Sequence, residues 1–172
     1  VVTLNDDTEY DAKLIGADSI SDIALLKIEA RGLPAAQFGA VDSLSVGDSV
    51  AAIGNPLGES FRLTLTNGII SAIERGMSYN AHTMTLLQTN TALNEGNSGG
   101  PLFNMYGQVI GITNMKMMSS YSSIEGIGFA IPSSTVKNVV AELILHGEVM
   151  GRPALGITVG AIPDEAKEQY GL

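Results

Sequence analysis

The chain has 172 residues, 45% of them hydrophobic, and 9 basic against 18 acidic side chains, for a net charge of −9. That is apolar matter for one substantial core or two small ones. The absence of cysteine excludes disulfides, thiol nucleophiles and thiolate metal sites, and scattered lysines and arginines on an acidic chain exclude nucleic acid as a partner.

Strand signals dominate the first three quarters. Val1–Leu4 leads through the turn-rich Asn5-Asp6-Asp7 to Glu9–Ile15, and Asp22–Ile28 follows, with mixed alternation and β-branched content. Leu33 to Leu44 connects. A second series is predicted at Asp48–Gly54, Arg62–Thr66, Gly68–Ile73, Thr85–Gln88, Pro101–Phe103, Gln108–Thr113 and Gly126–Ile131, with a turn over Asn104–Gly107. One helix is expected next. Ser133 or Ser134 can cap it, Val136, Val139, Val140, Leu143 and Ile144 recur at helical spacing, and Gly147 ends it. Gly151-Arg152-Pro153 is a linker candidate, Leu155–Val159 a further strand and Pro163–Gln169 a short helix. No apolar run is long enough to span a bilayer, and no signal peptide is visible.

Glu95-Gly96-Asn97-Ser98-Gly99-Gly100-Pro101-Leu102 places one hydroxyl among three glycines. The plain reading is a glycine-rich turn between strands. The chemical reading is a serine nucleophile. Acyl transfer needs room for a substrate carbonyl and backbone N–H groups aimed at the oxygen that becomes negative. Gly96 can adopt conformations that other residues avoid, so the N–H groups of Gly96 and Ser98 can converge on one point. A phosphate-binding reading fails, since there is no GxxxxGK[ST] and Gly126-Ile127-Gly128 lacks a third glycine. A metalloenzyme reading fails for lack of clustered ligands.

The segment from Gly96 to Leu102, with Gln108–Ile112 after it, resembles the chymotrypsin-like serine proteases, and most closely their HtrA (Deg) branch. Ser21-Asp22-Ile23-Ala24-Leu25-Leu26-Lys27-Ile28 resembles the segment that carries the family's triad aspartate. Gly47-Asp48, Ala52–Gly58, Asn67–Ser71, Gln88-Thr89 and Gly126–Pro132 also fall in family order, so the likeness covers nearly the whole chain. It implies a mainly β, chymotrypsin-like double six-stranded β-barrel with one C-terminal α-helix. The first barrel would be incomplete here: residues 1–32 its C-terminal part, residues 33–150 the second barrel plus helix, and residues 151–172 a linker and the start of a severed PDZ-like segment.

The resemblance also implies an activity: peptide-bond hydrolysis of unfolded or misfolded proteins by a Ser-His-Asp triad, outside the cytoplasm, with no cofactor and no metal. Ser98 and Asp22 would be catalytic, and Gly96, Asn97 and Ser98 would form the oxyanion hole, with Asn97 shaping the turn. Ile112, Thr113, Asn114 and Met115 would offer an edge to an extended substrate. The P1 pocket would lie between the residues around Thr91–Asn94 and this edge with Gly126–Phe129, and take a small or medium apolar residue. Met115–Ser123 and Gly76–Thr83 would be regulatory loops. A homo-oligomer, a trimer in the family, and an upstream membrane anchor are further expectations.

The triad histidine is missing. The family order places it before the aspartate, and the chain's two histidines, His82 and His146, both follow Asp22. His82 reads as a solvated loop residue and His146 as a helix-end residue near the last carbonyls. The sequence is therefore expected to start just after the triad histidine, and as given to be close to inert. Two departures from the family pattern stand out: Asn90 where Gln-Thr-Asp is usual, and Glu95 where proline is frequent. A non-catalytic module that holds unfolded chains in the same cleft is the alternative from another class.

Overall fold

The computed structural model describes residues 1–56, 58–79, 82–114 and 126–151. Four strands open the chain: β1 (Val2–Thr3), β2 (Glu9–Tyr10), β3 (Ala12–Asp18) and β4 (Ile23–Ile28). They pair as two antiparallel two-stranded sheets, β1 with β2 and β3 with β4. The expected strand Glu9–Ile15 is thus divided at Asp11 between two sheets. On β3–β4 the cross-strand partners Leu14 and Leu26 both face outward and are more than half exposed.

Six further strands form a closed barrel: β5 (Ser49–Gly54), β6 (Thr64–Tyr79), β7 (His82–Thr89), β8 (Pro101–Asn104), β9 (Val109–Thr113) and β10 (Gly128–Pro132). Their order around it is β10-β7-β6-β5-β8-β9. β6 runs unbroken where two strands are predicted. It pairs with β5 through Gly68 and Ile69, then with β7, and register shifts between Ile70 and Arg75 absorb the bend. Glu74 sits at the shift with φ 55°. The described residues of the expected loop Gly76–Thr83 are strand, because Gly76 to Tyr79 pair in register with Thr85 to His82.

Period-two alternation divides the barrel residues between two cores. Val50, Ala52, Ile70, Leu87, Leu93, Leu102, Ile110 and Ala130 fill the barrel interior. Their chain neighbours Leu86 and Ile131 point the other way and meet the helix α1 (Ser133–His146) through Val136, Val139 and Leu143, together with Ile23 of β4. Every residue of β10 is buried for this reason. Fully burying a leucine such as Leu143 contributes about 2 kcal/mol. The helix ends as predicted, with Gly147 at φ 77° and its N–H on the Leu143 carbonyl at 3.0 Å. Its start differs. Pro132 is the N-cap without a side-chain cap bond, and the buried Ser133 hydroxyl donates instead to the Gly39 carbonyl at 2.9 Å. Ile144, expected on the apolar stripe, is exposed. The expected linker from Arg152 onward, with the PDZ-like segment, lies outside the described residues.

Candidate active site

The turn that carries Ser98 joins β7 to β8, two strands that are not neighbours in the barrel. Hydrogen bonds hold its entry. The Ile69 N–H donates to Asn90 Oδ1 at 2.7 Å, the Thr66 hydroxyl donates to the Ala92 carbonyl at 3.0 Å, and the Thr89 and Thr91 hydroxyls meet at 2.8 Å. Asn90 needs only an acceptor for this bond, so the charge of an aspartate is dispensable there. Asn97 is buried, its N–H donates to the Asn94 carbonyl at 3.0 Å and its carbonyl accepts from the Gly100 N–H at 2.9 Å and from the Thr113 hydroxyl. The Asn97 N–H is therefore turned away from any substrate oxygen. Through these bonds Asn97 holds the turn between Gly96 and Ser98 in shape. Ser98 lies exposed at the crest.

Gly96 has φ 97° and packs its α-carbon against the Asn55 carbonyl, where an added Cβ would come within 2.0 Å. The Gly96 carbonyl in turn accepts from the Asn55 N–H at 3.1 Å. Left-handed backbone costs a non-glycine residue about 1–2 kcal/mol before any clash. Gly96→Ala is therefore expected to reorient the turn and lower Tm by about 5 °C, and, on the expectation that the turn is an oxyanion hole, to lower kcat of the full-length protein by about 10²–10³-fold. Peptide-hydrolysis kinetics and thermal unfolding check the two effects together.

Asp22 lies in the turn between β3 and β4, with φ 58°. Aspartate tolerates this region through its short polar side chain. Ser21 before it is tied down by the Asp18 carboxylate, which accepts from the Ser21 N–H at 2.8 Å and from its hydroxyl. Ile23 after it is buried under α1. One side-chain partner of Asp22 comes from the other half of the chain: Asn114 Nδ2 donates to Asp22 Oδ2 at 3.3 Å. Asn114 is buried and follows Thr113, whose carbonyl accepts from the Gly99 N–H at 2.9 Å and whose N–H donates to the Gly100 carbonyl at 2.9 Å. The end of β9 thus bonds to the Ser98 turn through Thr113 and to Asp22 through Asn114. Sequence reading found both ends of this link and missed Asn114 as its middle.

The expected substrate edge needs correction at two residues. Ile112 pairs with Pro101 on one side and Ile131 on the other, and Thr113 is flanked by Gly99–Gly100 and Ala130. Strand positions occupied on both sides have no ladder groups left for a peptide. The Asn114 N–H is also taken, by the Phe129 carbonyl at 3.0 Å. Met115 and the rest of the loop to Ser123 lie outside the described residues.

Two residues from the stretches expected to flank a P1 pocket, Leu93 and Gly128, are neighbours. Gly128 pairs with Thr89, and a Cβ on it would meet Leu93 Cδ1 at 2.8 Å. Glu95 is exposed and, with Asn55, Gly58 and Gly96, lines an open hollow of about 350 Å³ beside the turn. Neither histidine is next to the Ser98 turn along the chain. His82 is the exposed first residue of β7, and His146 is exposed in the last turn of α1. Among the described residues no group of three or more potential ligands could hold a metal ion, and no helix is long and apolar enough to cross a membrane.

Comparison with known proteins places this geometry. Residues 1–112 match the trypsin-like peptidase domain. The chain is 45% identical over 171 residues to a probable periplasmic serine endoprotease DegP-like of Chlamydia muridarum, covering 99% of the chain and 34% of that protein. It is 42% identical over 163 residues to the serine protease Do-like HtrA of Bacillus subtilis, covering 92% of the chain and 36% of that protein. Among solved structures, the HtrA-type protease AlgW with decapeptide superposes with a TM-score of 0.84 at 40% identity, over 99% of the chain and 51% of that one. The chain thus spans about a third of the length of the curated relatives it matches.

Proposed function

As the chain belongs to the trypsin-like peptidase family, with HtrA and DegP proteases among its relatives and a chymotrypsin-like fold, we propose that it is the serine endopeptidase domain of a protein-quality-control protease. The observation that carries this reading is the link through β9, which bonds the Ser98 turn at Thr113 and Asp22 at Asn114.

In this reading Ser98 Oγ attacks the carbonyl of the scissile peptide bond. An imidazole takes the hydroxyl proton and later delivers it to the leaving amine. Asp22 holds that imidazole in the tautomer that accepts from Ser98 and stabilises it once charged. Asn114, on the other side of the carboxylate, keeps Asp22 from turning away. The N–H groups of Gly96 and Ser98 receive the negative oxygen of the tetrahedral intermediate. Substrates are unfolded or misfolded polypeptides, which present extended backbone. Leu93 and the bare Gly128 suit a small or medium apolar P1 side chain. An extracytoplasmic setting follows the periplasmic naming of relatives, and a homo-oligomer follows the family.

The test is covalent. A peptidyl phosphonate with valine or alanine at P1 is expected to label the full-length protein once, on the peptide that contains Ser98, as read by mass spectrometry. Labelling elsewhere, or none while unfolded chains still bind, would turn the reading to a holding module without catalysis.

A further inference from the structure

Arg62 is a partly buried cation at the junction of the chain's two halves, between a short 3-10 helix (Glu59–Phe61) and β6. Its guanidinium reaches back to the β1–β2 turn. Nη1 pairs with the Asp7 carboxylate, and Nη2 donates to the Leu4 carbonyl. A planar fork can serve two such acceptors at once, which an ammonium cannot do with the same geometry. The residues on both sides of this contact have left-handed backbone, Asp7 at φ 65° and Leu63 at φ 59°. Such conformations persist where surrounding bonds over-determine them, and they concentrate at functional segments.

From Leu63 the bonds continue toward the site. The Leu63 N–H donates to Asn55 Oδ1 at 2.9 Å. The Asn55 carbonyl accepts from the Gly58 N–H at 3.2 Å and packs on Gly96, and the Asn55 N–H donates to the Gly96 carbonyl at 3.1 Å. Gly96 itself, its carbonyl through this bond and its α-carbon through packing on the Asn55 carbonyl, is thus reached in three steps from the Arg62 side chain.

We infer that Arg62 is a positioning residue that ties the β1–β2 turn to the Gly96 carbonyl and α-carbon through Leu63 and Asn55, and so fixes the residue whose N–H belongs to the oxyanion hole. The inference rests on the protease reading given above. The ion pair itself is of little consequence, since Asp7 is exposed and such pairs contribute little to stability. What matters is the angle at which the Asn55–Leu63 segment meets Gly96, because small misplacements of donors weaken transition-state contacts steeply.

The test is a double-mutant cycle in the full-length protein with R62M and N55A. Activity is measured per active site titrated with the phosphonate, so that loss of folded protein does not count. Each single variant is expected to lower kcat about tenfold with KM within about twofold, and the double variant to match the singles because both act on one chain of bonds. A boronate peptide inhibitor is expected to weaken in parallel with kcat. Values of kcat per site within twofold of the parent, or losses that multiply, overturn the inference. Should R62M fail to fold, N55A decides alone, since it leaves the Arg62 contacts in place. Ser98→Ala is run beside them. If it abolishes cleavage while R62M and N55A do not lower it, only the role of Arg62 falls; cleavage that survives Ser98→Ala overturns the protease reading and this inference together.

Discussion

Ser98→Ala is expected to lower kcat for peptide-bond cleavage in the full-length protein by about 10⁶-fold, with Tm unchanged within about 2 °C. In the proposed mechanism the size of the first effect comes from removing the atom that forms the acyl bond; what would remain is attack by water in a cleft that still binds and polarises the carbonyl. The small second effect comes from position. Ser98 is exposed, and bonds that hold the turn run through Asn97, Gly99 and Gly100 backbone groups. Binding of an unfolded polypeptide should survive the substitution. A time course of casein cleavage and a binding isotherm for a permanently unfolded chain, measured on the same preparation, separate the outcomes. Cleavage that persists would remove Ser98 from the chemistry. Binding with no cleavage by the unsubstituted protein would favour the holding module.

Asp22→Asn is the second large effect, expected at about 10⁴-fold in kcat. An amide can still orient an imidazole, but it favours the tautomer that presents a proton to the serine instead of accepting one. It also cannot stabilise the imidazolium. The fold should tolerate the change for two reasons. Asparagine accepts left-handed backbone as readily as aspartate, so the φ of 58° adds no strain. The new side chain can also still present an oxygen to Asn114 Nδ2, which keeps the bond to β9. Steady-state kinetics with a fluorogenic peptide and a thermal melt read both. A loss smaller than tenfold would remove Asp22 from the triad.

The parts of the fold legible in the sequence are those set by local periodicity and by glycine. The helix was legible from Val136, Val139 and Leu143, and its end from Gly147, because the cap bond is made within the same turn. Its start was not. Ser133 has the right chemistry for a cap, but its hydroxyl goes to a carbonyl 94 residues away, which no local pattern reports. β6 reads as two strands because Gly68 looks like a break; in the barrel Gly68 pairs with Val50, and the bend falls later, at Glu74. For the candidate site, the glycine motif pointed to Gly96 and Ser98, and the family resemblance to Asp22. Asn114 was noticed only as part of a strand edge, yet its amide faces Asp22, a contact across 92 residues. Ile112 and Thr113 looked available for a substrate because sequence does not reveal which strand is flanked on both sides.

The position of the nucleophile turn within the barrel has a consequence for how reactivity arises. β5–β6, β6–β7 and β8–β9 are hairpin neighbours that can form early, since their partners are close along the chain. The turn bearing Ser98 spans β7 and β8, which meet no partner in each other; its shape is imposed only when β8 docks on β5 and β10 seals β7 to β9. Those are the long loop closures, and the slow ones. In the protease reading proposed above, a nascent or partly unravelled chain would therefore hold a serine of ordinary reactivity until the cylinder closes, which would guard half-made copies against digesting one another.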